Sequence, residues 1–173
     1  MAEYEQLRVY IQYDILLAAD LRYVLGSIEQ AYNRVASFFQ GTHRIRANNR
    51  LQIKSVHTER SIEAFLIGNG RTIVGLFLIF LWARQQHWKT EKLKWDAKLA
   101  ERKFRSLEYS EGQERIRAAM QNEDVNVVKA LQALERVAKR IFQSSRITSI
   151  QITLVDEDIS PKRSRDVSFE DEE

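Results

Sequence analysis

The chain contains no cysteine, which removes a disulfide framework, a thiolate metal site and a cysteine nucleophile together. Its single proline, Pro161, falls near the C-terminal end, in a charged segment with few large apolar groups. No GxSxG, HExxH, P-loop or EF-hand pattern occurs, so the common hydrolase, zinc, nucleotide and calcium signatures are missing. His43, His57 and His87 lie far apart, and no two histidines share an i+3 or i+4 spacing suited to a metal. No cofactor, metal or enzymatic activity is therefore expected. The opening stretch, MAEYEQLRVYIQYD, has neither a basic n-region nor an apolar h-region, so the expectation is a cytoplasmic start.

Long hydrophobic runs are also scarce. The exception is Thr72 to Ala83 (TIVGLFLIFLWA), twelve residues without a charge. As a helix it has no polar face to turn to water, so its own sheet, another copy or lipid must cover it. Twelve helical residues span about 18 Å, short of the roughly 30 Å hydrocarbon core. Extension back to Ala64 reaches twenty residues but puts Asn69 and Arg71 at membrane depth. Burial in a domain or oligomer core is thus expected ahead of membrane contact, although Trp82 and Trp88 sit where an interfacial aromatic belt would be.

The charge of +3 hides an asymmetry. Residues 156–173 hold eight acids and three bases, net −5, which leaves +8 on residues 1–155. Arg84 to Arg105 contributes +5 of that excess. A solvated helix face is the plain explanation; anionic lipid and nucleic acid are the alternatives.

The pattern along the chain predicts an α+β fold. Leu7, Val9, Ile11 and Tyr13 alternate with polar residues as in a half-buried strand. Leu17 to Phe39 repeats at helical spacing, and Gly41–Asn49 reads as a loop. Two runs, Leu51 to Val56 and Ser61 to Ile67, suggest a hairpin, and Gly68-Asn69-Gly70 releases a long helix over Arg71–Leu107. Tyr109 to Gly112 reads as a corner. Helices over residues 113–143, broken near Asn122–Asp124, lead to a last strand, Ile147 to Val155. This order, β-α-β-β-α(α)-β, matches the split arrangement of ferredoxin-like folds, an antiparallel sheet here carrying a long helical arm. A single domain over residues 1–155 is expected, followed by a disordered charged tail, 156–173.

Two constellations bear on function. Gly68-Asn69-Gly70-Arg71-Thr72, between strand and helix, resembles an anion-gripping turn, but Ile73 stands where GxGxxG needs glycine. A sharp turn capped by Asn69 or Thr72 is the favoured explanation. The second is the apolar–basic helix. It leads to the expectation of a non-enzymatic protein that self-associates as a homo-oligomer or docks on a protein partner, with an anionic membrane surface as a further host. Phe77, Leu78, Phe80, Leu81, Trp82, Trp88 and Trp95 would make the contact, while Arg71, Arg84, Lys89, Lys92 and Lys98 would attract an anionic partner. Nucleic acid ranks lower: Trp88 and Trp95 could stack bases among the lysines, with Arg44, Arg46 and Arg50 as a second basic segment. Their shared stripe points to helix packing first.

Overall fold

The computed structural model describes residues 4–15, 18–41, 49–87, 93–94, 107–143 and 147–155. The elements in chain order are β1 (Tyr4–Tyr13), α1 (Ala18–Gln40), β2 (Gln52–Thr58), β3 (Ser61–Asn69), α2 (Gly70–His87), β4 (Leu93–Lys94), α3 (Leu107–Gln121), α4 (Val125–Gln143) and β5 (Ile147–Leu154). The chain is α+β, with β2, β3, β1 and β5 forming an antiparallel sheet in that spatial order.

Alternation fixes the register. Leu66, Leu7 and Leu154 lie side by side across β3, β1 and β5, as do Ala64, Val9 and Ile152, and then Ile62, Ile11 and Ile150. All nine are buried. A one-residue slip of β1 would turn its apolar set to the other face. Each such large side chain is worth about 1.5–3 kcal/mol when buried, so these rows outweigh the partly exposed Arg8–Glu63 ion pair on the opposite face.

The ferredoxin-like expectation is met only in part. The last strand does lie beside the first, but the sheet gains a fifth member: Leu93 and Lys94 pair parallel with Ile150 and Gln151. Among the described residues the connection from β3 to β5 holds three helices. The expected continuous helix over 71–107 is also replaced. Its apolar run ends near Ala83, α2 stops at His87, and β4 instead takes up backbone groups on the open β5 edge. Residues 88–92 and 95–106 lie outside the described residues, as does the expected tail 156–173.

The corner expected at Tyr109–Gly112 is helical. Tyr109 is buried within α3 and donates its hydroxyl hydrogen to Glu5 Oε1 on β1 at 2.9 Å. The break near Asn122–Asp124 is present. Glu123 adopts a positive φ of 54°, and the Asp124 amide donates back to the Ala119 carbonyl at 2.9 Å, closing the end of α3. Asp124 then caps α4, its Oδ1 accepting from the Asn126 and Val127 amides at 2.9 and 3.3 Å.

Candidate functional site

α2 lies against β1 and β3 and also packs on α1, α3 and α4. A helix apolar on all sides requires such an enclosure, and this chain supplies it. Phe77, Leu78, Phe80 and Leu81 are 1%, 8%, 2% and 9% exposed. That corrects the expectation that these four side chains form an oligomer or membrane contact: they are core. Trp82, next along, is half-buried. Among the described residues no helix is long and apolar enough to cross a membrane.

Of the five expected cationic contacts, Arg71 is the one whose side chain is described. Arg71 is exposed, and its guanidinium lies 5.7 Å from the centre of the Phe39 ring. Trp88, Trp95, Lys89, Lys92 and Lys98 lie outside the described residues, and so does the side chain of Arg84. The turn at Gly68–Thr72 is occupied by its own cap. Asn69 Oδ1 accepts from the Thr72 amide at 3.3 Å and from the Thr72 hydroxyl at 3.4 Å. The Asn69 amide donates to the Tyr32 hydroxyl at 2.9 Å, and that hydroxyl donates to the Asn49 carbonyl at 2.5 Å.

Positive charge converges elsewhere, in an open groove of about 980 Å³ between α1 and α4. The two helices meet through small and branched side chains, with Ser27, Ala31, Val35, Ala130, Ala133 and Val137 buried. Small residues let the backbones approach, which leaves the long polar side chains to form the walls. Arg136 Nη1 donates to Gln30 Oε1 at 3.1 Å across the pair. α1 supplies Glu29, Gln30, Asn33, Arg34 and Ser37; α4 supplies Lys129, Gln132, Ala133 and Arg136; Arg50 closes the end before β2. Among the described residues four cations therefore face one carboxylate, a net of +3. Among the described residues none of these cations forms a carboxylate ion pair.

Chemically, the groove offers guanidinium, ammonium and amide donors to an extended anion. Arg50 was legible as part of a basic segment. Arg34, Lys129 and Arg136 were not, because in sequence they stand far from that segment and apart from one another. The available signal was the seven-residue interval from Lys129 to Arg136, which puts both on one face of α4 about 10 Å apart. Compared with protein-family models, with characterised proteins and with solved structures, the chain matches none.

Proposed function

We propose that this chain is a non-catalytic docking protein that holds a nucleic-acid backbone in the groove between α1 and α4. The observation that carries the reading is the convergence of Arg34, Arg50, Lys129 and Arg136 from three separate chain segments onto one opening. Amide side chains at Gln30, Asn33 and Gln132 stand between them, suited to phosphate, sugar or base edges. A protein partner would want an aromatic or aliphatic centre to the contact. Among the described residues the walls hold only buried Ala133 in that class, which favours a sugar-phosphate chain over an acidic protein surface.

Fluorescence anisotropy with labelled single- and double-stranded oligonucleotides tests the reading. Neutralising three to four phosphates predicts a slope of log K on log salt of roughly −2 to −4, depending on strandedness. The pair Lys129→Glu and Arg136→Glu should weaken binding more than about tenfold, with the melting temperature held. Unchanged affinity in that double variant removes the proposal.

Self-association is retained as a second reading on a different surface. Ile53 and Val56 point to the helix side of β2 yet are 59% and 42% exposed, because no described helix extends over this edge strand. Ile53→Lys would then convert a concentration-dependent dimer to a monomer in light scattering. We further infer that the sheet is the split ferredoxin-like unit, with its second crossover enlarged beyond the single helix of that plan.

A further inference from the structure

Taking the groove as a polyanion site, we propose that the chain's own acidic segment, Asp156–Glu173, occupies it when no nucleic acid is bound. The charges complement each other: net −5 on the segment against +3 on the groove walls. Four of its acids, Glu170, Asp171, Glu172 and Glu173, follow one another, so they present a short polyanion in place of a phosphate chain.

Topology brings the two to the same end of the sheet. The Val155 amide donates to the Gln6 carbonyl at 3.0 Å, so β5 finishes beside the start of β1. Tyr4 of β1 pairs with Asn69, the last residue of β3. Asn69 and Asn49 both bond to the Tyr32 hydroxyl of α1, and Arg50 follows directly into the groove. The segment therefore starts at the end of the fold where Arg50 enters the groove. Fifteen residues from Val155 to Glu170 extend at most about 50 Å, whereas crossing from the sheet to the outer helices requires about 20 Å.

Tethering explains why so polar a contact suffices. A linked segment meets its site at an effective concentration in the millimolar range, so charge attraction alone fills it appreciably without an apolar anchor. The same attraction is screened by salt, with a Debye length of about 10 Å at 0.1 M. The segment then competes with nucleic acid and selects for ligands of higher charge density.

Two measurements on the full chain test this separately from the nucleic-acid reading. Carbodiimide at low salt should join Lys129 to a carboxylate of residues 170–173, a link read by peptide mass spectrometry and lost near 1 M salt. It should persist on dilution, because it forms within one chain. Absence of any Lys129 link to the segment overturns the proposal, whatever the chain binds. The variant Glu170→Gln, Asp171→Asn, Glu172→Gln, Glu173→Gln leaves the segment at −1. It should bind a labelled oligonucleotide about three- to tenfold more tightly than the parent at low salt. Equal affinity overturns the proposal. Failure of both proteins to bind oligonucleotide defeats the nucleic-acid reading instead, and the cross-link alone then decides occupancy.

Discussion

Tyr32 and Gly68 are in direct contact: a β-carbon placed on Gly68 would sit 2.8 Å from both Cε2 and the hydroxyl oxygen of Tyr32. The ring has nowhere to retreat, since it is fully buried and its hydroxyl is held by Asn49 and Asn69. Gly68→Ala should therefore behave as overpacking and cost about 1–3 kcal/mol in a denaturant titration. The clash is specific to this pair. Gly68→Ala combined with Tyr32→Ala should cost clearly less than the sum of the two single changes, and strict additivity would show that the ring is not what opposes the β-carbon.

The same tyrosine gives the fold an alkaline limit. Burial pushes the Tyr32 hydroxyl above the ordinary tyrosine value, while its hydrogen bond from the Asn69 amide works the other way. With the folded value above the unfolded one, the stability it contributes is complete below the unfolded value, near pH 10. It is lost as pH rises through the folded value, because the unfolded chain gives up the proton first. Tyr32→Phe should lower stability at pH 7 by about 1–3 kcal/mol, since the Asn69 amide and Asn49 carbonyl lose their partner. It should also flatten the fall in stability above pH 10. A variant with the parent's alkaline slope would assign that limit to another group.

Much of the sheet was legible because alternation is a local signal. Leu7, Val9 and Ile11 announce a strand and a face, and Ile147 to Val155 does the same. What α2 is for was not legible. Its all-round apolarity states that it must be covered, but beyond the sheet strands β1 and β3 the cover comes from α1, α3 and α4, whose packing on it is not written in the local pattern. The end of α2 was misplaced for a similar reason. Nothing between Arg84 and Leu107 breaks a helix locally, and the pairing of Leu93 with Ile150 is a tertiary event. The groove was hidden in the same way, since Arg34 and Arg136 acquire meaning only when α1 and α4 lie side by side.

Leu78→Asp separates a core role from a contact role. Leu78 is 8% exposed and lines a small gap with Gly75, Tyr109 and Gly112. A carboxylate there must leave water for a largely apolar site, and the lost packing of a leucine alone costs about 2–5 kcal/mol. The expected result is a steep drop in melting temperature or an insoluble chain. A variant that melts like the parent yet no longer assembles or binds membranes would restore this residue to the surface.

The cap on α4 gives a smaller, sharper effect. Asp124 accepts from two amides that have no helical acceptor, so Asp124→Ala should cost about 1 kcal/mol, and Asp124→Asn much less. Glu123, just before it, holds a positive φ that costs a non-glycine residue roughly 1 kcal/mol. Glu123→Gly should therefore stabilise the chain slightly. Loss of stability on that change would show that the Glu123 side chain makes a contact worth more than the strain.

Within the groove, charge and positioning are separable by their salt dependence. Lys129→Gln deletes one cation, so it should weaken oligonucleotide binding and reduce the magnitude of the salt slope by about one. Gln30→Ala deletes no charge. It removes the acceptor 3.1 Å from Arg136 Nη1 and leaves that guanidinium to more conformations. Affinity should fall by about two- to threefold through the cost of ordering one long side chain, with the slope unchanged. Were Gln30→Ala to change the slope as Lys129→Gln does, Arg136 would have left the site altogether. Were neither to alter binding, the phosphates would be held by cations on some other surface.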